Sequence, residues 1–397
     1  MKQSLLLEFP VAEYAARLRA LASGMKARGM DAVLLTMPSN VRYFSGLRSI
    51  VWVSNVSMPG VLLINSDGVM RVIGSASNNP TARVTSCAQD DWFYAYRAGT
   101  DIPSFSAALH LAMRDMKLER ARLGMEFGEG FRMRMIMDDY NALLAAFPNV
   151  EMVDAAQLLW DIRSVKSQLE QDRLRECSKI NSRVFEAAFE RIVPGVSTEE
   201  EIYQFMAAEC FRLGAESMLQ LDVRGRKDRY GQGNCPPSWL PFGDEEGTAI
   251  LLDGGPCVRG YYSDIIRVGV VGKPSPRQEE LFKIADEGNQ VGLDALKPGV
   301  TVEEVCRKVD AFFASSRAAE QYNSKGWVGH CVGLDVHEYP CLSLGDETVV
   351  KPGMVFAVEP GITDKSLGGF CIEENVLVTE TGVELLSNAP RKLYRVG

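Results

Sequence analysis

TAILLDGG (248–255) and MVFAVEPG (354–361) are the two stretches that decide how this chain folds. Each is an apolar run ending in a carboxylate and then a turn: Asp253 before Gly254-Gly255, Glu359 before Pro360-Gly361. Short apolar runs bounded by turn residues read as buried strands. Each is followed by a second strand candidate with its own acid: YYSDIIRV (261–268) carries Asp264, and FCIEENVLV (370–378) carries Glu373. The match extends upstream. PGVSTEE (194–200) and PGVTVEE (298–304) lie 104 residues apart. In each, a Pro-Gly stop precedes a hydroxyl residue with Glu three positions on, the pattern of a capping box that opens a helix. Four features, repeated in the same order, predict a pseudo-two-fold domain of two helix–hairpin halves.

The four acids define a physical problem. A carboxylate in an apolar segment costs several kcal/mol unless it is compensated, and burial raises its pKa. Arg267 follows Asp264, but no basic residue adjoins Glu359 or Glu373. Any one of these acids is readily placed on the solvent side of its strand; four matched across a repeat point instead to a bound divalent metal. GWVGHCVGLDVHEYP (326–340) holds two of the chain's three histidines, His330 and His337. Gly329 and Gly333 flank His330 and argue against a helix there. One imidazole with four carboxylates is a mixed N/O donor set suited to manganese, cobalt, iron or zinc. Five such ligands with bridging carboxylates hold two metals about 3.5–4 Å apart.

The order Asp, Asp, His, Glu, Glu resembles the metallopeptidase family of methionine aminopeptidase, prolidase and aminopeptidase P, with its pita-bread fold. The matching pieces are LLDGG and YYSDIIR with acids 11 apart, GHCVGLDVHEYP, MVFAVEPGI, and FCIEEN with its Glu 14 after Glu359; the step of 29 from His330 to Glu359 is similar to the prolidase branch. The first half, including SNVRYFSG (39–46), is similar to the accessory domain of prolidase and creatinase. The resemblance implies an α/β (α+β) protein with an accessory domain over 1–160 and a pita-bread catalytic domain over 161–397. It implies Asp253, Asp264, His330, Glu359 and Glu373 as ligands of two divalent metal ions. It implies His337 at the substrate or its developing oxyanion, and Glu359 as the group that moves the proton. The reaction so implied is hydrolysis of a peptide or small-amide C–N bond by metal-activated water, as in Xaa-Pro dipeptidases and aminopeptidases, in a homodimer.

The chain departs from the family pattern around the expected pocket. The family's peptidases carry another histidine just before the first aspartate strand, but residues 233–253 contain none, and Trp239 or a neighbour is expected to occupy that space. Ile266 stands where prolidases usually have Thr, Cys371 where many members have Arg, and Cys331 where Gly follows the metal histidine. The same fold hosts creatinase, ectoine hydrolase and a sulfonium-compound lyase, and the tail SNAPRKLYRV resembles that of ectoine hydrolase-like members. A non-peptidase enzyme of this fold, or a catalytically dead binding module, is therefore the alternative reading.

The bulk of the sequence excludes other classes. A net charge of −9 argues against a nucleic-acid partner. No stretch approaches the ~20 apolar residues of a membrane span. Nine scattered cysteines without a CxxC pair suggest reduced thiols in the cytoplasm. Upstream, residues 12–30 pattern as a helix, 32–36 as a strand and 60–74 as a hairpin with an Asp-Gly turn at 67–68, and 103–117 and 131–146 as helices. A longer helix is expected over 167–192, ended by Val193-Pro194-Gly195. His110 sits mid-helix without a partner motif and reads as structural. RGRKDR (224–229) reads as a solvated loop or an anion site, and Arg48 and Trp52 as residues reaching a neighbouring subunit's pocket.

Overall fold

The computed structural model describes residues 1–54, 60–88, 91–94, 104–233 and 235–397. The chain forms two compact units, Met1–Arg163 and Ser164–Gly397. In the first, the order is α1 Val11–Ala27, β1 Ala32–Leu35, α2 Pro38–Ser45, β2 Gly60–Asn65, β3 Met70–Ser75, α3 Asn79–Thr85, β4 Asp91–Tyr94, α4 Phe105–Asp115, β5 Arg122–Met125, α5 Met137–Ala146, β6 Glu151–Asp154 and α6 Ala156–Arg163. Six strands make one mixed sheet, β4-β3-β2-β1-β5-β6. The hairpin forms where it was expected, with Gly68 at φ +78°. Residue 103 of the expected 103–117 helix lies outside the described residues, and the helix spans 105–115.

The helix expected over 131–146 begins only at Met137. Residues 131–136 are claimed by tertiary contacts instead. Phe131 stacks on Trp160 at 4.2 Å, and Arg134 donates from its backbone to Thr36 Oγ1 and from its guanidinium to the carbonyls of Trp52 and Ser54. Arg48 binds Glu8 and the Leu6 carbonyl within the same unit.

The second unit runs α7 Gln168–Arg191, α8 Glu199–Arg212, β7 Ser217–Arg224, β8 Ala249–Val258, β9 Tyr261–Tyr262, β10 Ile265–Val271, α9 Pro276–Ala295, α10 Val302–Ser315, β11 Trp327–Cys331, β12 Glu338–Ser343, β13 Val355–Val358, β14 Gly361–Asp364, β15 Gly368–Cys371, β16 Glu374–Val378, β17 Val383–Leu385 and β18 Tyr394–Val396. Local chemistry fixes the helix starts. Ser167 with Glu170, Thr198 with Glu201, Ser275 with Gln278 and Thr301 with Glu304 all close capping boxes. In PGVSTEE the cap is Thr198; Ser197 instead accepts the Val193 N–H.

The repeat is visible in the sheets. One has the order β18-β10-β8-β7 and the other β12-β11-β13-β16-β17. Thus β10-β8-β7 corresponds to β16-β13-β11, with the same antiparallel pairing. The first acid of each half belongs to the central strand of its trio, Asp253 within β8 and Glu359 directly after β13, and the second acid immediately precedes β10 or β16. A separate apolar core lies behind each sheet, around Phe185 and Met206 in one half and Phe313 and Phe356 in the other.

Two glycines permit the strands to close around the acids. Gly254 has φ +114°, and a Cβ there would lie 2.0 Å from Gln220 O. Gly329, at φ +152°, would place one 2.1 Å from Ala357 O. Alanine at either site is expected to cost about 1–3 kcal/mol in backbone strain alone, with more from the clash. A fall in Tm of several degrees in thermal denaturation checks this.

Candidate metal centre

The structure brings all five expected donors and His337 together. Donor atoms of Asp253, Asp264 and Glu373 lie within 4.8 Å of one another, as do those of His330, Glu359 and Glu373, and those of Asp264, His330 and His337. His330 Nε2 stands at the hub, 3.2 Å from Glu359 Oε1, 3.9 Å from Asp264 Oδ2 and 4.0 Å from Glu373 Oε1. The His330 ring is fully buried. Its Nδ1 lies 2.8 Å from the Cys331 carbonyl. That contact makes Nδ1 the protonated nitrogen and turns the lone pair of Nε2 towards the acids. The His337 ring is 4.2 Å from that of His330, centroid to centroid.

The electrostatics are those of buried acids that repel one another. Burial, then Glu359 and Asp222, holds Asp253 well above the usual carboxylate range. Burial, then Asp253 and Glu359, does the same to Asp264. For Glu373 the causes are burial, then Asp264, Glu359 and Asp253. His337 is pushed down to about 4 by desolvation and by the neighbouring His330. Asp264 Oδ1, His330 Nε2 and both Glu373 oxygens are buried without a hydrogen-bond partner. Buried polar atoms normally have one. Four orphaned donor atoms converging on one spot, all oxygen or imidazole nitrogen, fit divalent cations.

Two asparagines that the sequence did not single out hold this arrangement. Asn181 on α7 donates to the Gly254 carbonyl at 2.9 Å and to Ser263 Oγ at 3.1 Å, beside Asp253 and Asp264. Asn289 on α9 donates to the carbonyls of Val358 at 2.6 Å and Ile372 at 2.9 Å, the residues preceding Glu359 and Glu373. Each half of the repeat thus has one fully buried asparagine clamping its two acid-bearing segments. Asn375 adds a third clamp, accepting the Asp264 N–H at 2.9 Å and donating to its carbonyl at 2.7 Å. Asn289→Leu is expected to weaken metal binding about 10–100-fold, read by calorimetric titration with manganese. A lower Tm with unchanged affinity would leave Asn289 a stabiliser only.

The structure adds detail to several sequence readings and bears out that of His110. Arg267, the base that follows Asp264 in the sequence, is buried and bonded to Glu374 at 2.7 Å and to the carbonyls of Ile266, Glu373 and Ala389. Trp239 does not fill the position of the missing histidine. It is 79% exposed. Cys235, Pro236 and Pro237 line the cleft instead, a cavity of about 1080 Å³ that also holds Asp253, Glu359 and His337. Cys371 donates towards the Glu359 and Pro360 carbonyls at 3.5 and 3.6 Å, and burial, then Glu359 and Glu373, raises its thiol pKa strongly. His110 packs edge-on against Phe147 at 5.3 Å, a structural role.

With this geometry in place, the likeness to known proteins is informative. Residues 172–380 match the model of metallopeptidase family M24, and residues 17–165 match the creatinase/prolidase N-terminal domain. The chain belongs to metallopeptidase family M24. Its relatives include the Xaa-Pro dipeptidase of Pyrococcus furiosus, 27% identical over 391 residues that cover 95% of this chain and 99% of that one. Among solved structures, the Xaa-Pro dipeptidase from Bacillus anthracis superposes with a TM-score of 0.83 at 25% identity, covering 96% of this chain and 100% of the other. Dipeptidase PepE from Mycobacterium ulcerans gives 0.82 at 25%, covering 98% and 99%. This M24 chain is accordingly a metal-dependent hydrolase with a creatinase-like N-terminal domain and a catalytic domain of pita-bread fold. No helix among the described residues is long and apolar enough to cross a membrane.

Proposed function

We propose that the chain hydrolyses the amide bond of a dipeptide of Xaa-Pro type, using two divalent cations held by Asp253, Asp264, His330, Glu359 and Glu373. The observation that carries this reading is the set of orphaned, buried donor atoms on Asp264, His330 and Glu373. Full-length similarity to an Xaa-Pro dipeptidase supports the substrate class. Divalent cations in such a site supply Lewis acidity and lower the pKa of a bound water from 15.7 to about 7. The metal is manganese, cobalt, iron or zinc, as the N/O donor set suggests. Nine free thiols, seven of them buried, support the cytoplasm as the compartment. The homodimer remains the assembly that the family resemblance implies.

Each side chain has a task. Glu359 is partly exposed and lies on the cleft wall, with one oxygen against His330. It takes a proton from the attacking water and passes it to the leaving nitrogen. His337 faces the same cleft. It donates an N–H to the carbonyl oxygen as negative charge gathers there. The asparagine clamps keep the acids from relaxing apart. The expected result for His337→Ala is a rate reduced about 10²–10³-fold with metal content retained. Loss of metal from that variant would make His337 a ligand instead.

A second reading has its own support. The wall formed by Cys235, Pro236 and Pro237 offers no imidazole, and Cys371 offers no charge, which departs from the peptidase pattern that the family resemblance implies. This favours hydrolysis of a cyclic amidine solute on the same cage, or a lyase reaction. Assays of manganese- and cobalt-loaded protein on Xaa-Pro dipeptides decide the matter. Turnover of a cyclic amidine or a betaine-like compound, with none of the dipeptides, would remove the peptidase reading.

A further inference from the structure

The basic run 224–229 borders the cleft, and the reaction above does not use it. Most of its charge is already matched. Arg226 grips Asp228 at 2.8 and 3.0 Å, Lys227 pairs with Glu245, and Arg229 pairs with the buried Glu199. Arg224 stands apart. Its Nε lies 2.9 Å from Asp222 Oδ2, and its Nη1 donates to the Gln232 carbonyl. Its Nη2 has no hydrogen-bond partner among the described residues.

Position gives this free edge a meaning. Asp222 is the cross-strand partner of Asp253. Arg224 is two residues further along β7, on the same face and about 6.6 Å away along the strand. Among the described residues it is the sole Lys or Arg lining the cleft, and it also lines an adjoining cavity of about 220 Å³. That side chamber is walled by Leu251, Ile266, Ile362 and Phe370, and Glu359 borders both spaces. Arg226, Arg229 and Tyr230 complete the chamber's lining, so it is apolar on one wall and polar on another, and a guanidinium and a carboxylate of the donor cluster meet where the cleft opens into it.

We infer that Arg224 anchors a carboxylate of the substrate, with an apolar ring or side chain of the leaving portion seated in the adjoining chamber. The substrate class is a small amide with a free carboxylate, and this rests on the hydrolase reading above. The guanidinium fork matches a carboxylate in shape as well as charge, whereas a lysine keeps the charge and loses the fork. Asp222 fixes the orientation of the fork.

The test compares Ala-Pro and Ala-Leu with their C-terminal amides on manganese-loaded protein, and L-proline with L-prolinamide by calorimetry. The native protein is expected to favour the free acids by about tenfold or more in kcat/KM and in binding. Arg224→Gln should reduce that ratio to near one with metal content unchanged, and Arg224→Lys should fall between. If Arg224→Gln does not fold beside Asp222, the double variant Asp222→Asn, Arg224→Gln keeps the comparison. A native protein indifferent to the carboxylate, or a Gln variant with the full preference, overturns the assignment. Proline favoured over prolinamide through Arg224 without cleavage of either dipeptide would sustain the anchor and sink the dipeptidase reading.

Discussion

Removing divalent cations is expected to abolish turnover and to make the protein less stable as the pH rises. Without cations, Asp253, Asp264 and Glu373 hold their protons to higher pH than in the unfolded chain, because burial and mutual repulsion disfavour their charged forms. A carboxyl group with a raised folded-state pKa favours folding while protonated. That contribution is present below its ordinary unfolded value and is lost as pH climbs through the folded value. The metal-free protein should therefore lose Tm steadily as pH increases above about 4. Added manganese should restore it, by about 2.7 kcal/mol at a concentration 100 times the Kd. Binding should also release protons, because the ligands must be ionised to hold the ion; repeating the calorimetry in two buffers of different ionisation enthalpy counts them. His330→Ala and Glu373→Gln should each reproduce the metal-free behaviour. A chelated protein with full activity, or with the Tm profile of the loaded one, would remove the metal centre altogether.

The second large effect is expected at Lys166. Its Nζ lies 3.1 Å from Glu338 Oε2, and both side chains are only 1% exposed. Glu338 also accepts the Asp335 N–H at 3.2 Å and packs against Gly333. The ion pair thus ties down the 333–337 turn that presents His337. Lys166→Met would leave an uncompensated buried charge, which costs about 3–5 kcal/mol. The expected result is a large fall in Tm together with a fall in kcat. Adding Glu338→Gln to Lys166→Met removes the stranded charge and should recover most of the stability but not the rate, because the turn still lacks its tether. A double-mutant cycle by denaturant unfolding measures the coupling. Independent, additive effects would show that the pair does not act as a unit.

What was legible beforehand was local or repeated. Hairpins, capping boxes and buried strands depend on residues within a few positions of each other, so TAILLDGG, MVFAVEPG and the two PGV segments announced their own structure. The four candidate acids were legible because each half carries its pair at matching places, and His330 because it lies in a glycine-flanked stretch holding two of the three histidines. What the structure added has a different origin. Residues 131–136 left the helix because Trp160 and Thr36 bind them from elsewhere in the chain. Arg267 reaches Glu374, 107 residues on. Between Trp239 and a neighbour the sequence could not choose; Cys235 and the two prolines border the cleft and Trp239 does not.

By itself, then, the sequence determined the helix starts and acid-bearing strands of the catalytic half and its internal two-fold repeat, and it named the candidate donors. Periodicity and capping act through adjacent turns of backbone, and those are written consecutively. Only the tertiary structure decided that Nε2 of His330 faces the acids, that Asn181 and Asn289 clamp them, that Lys166 holds the His337 turn and that Arg224 keeps a free edge. Those pairings join segments separated by tens of residues or more, and their partners exist only once the two sheets have packed.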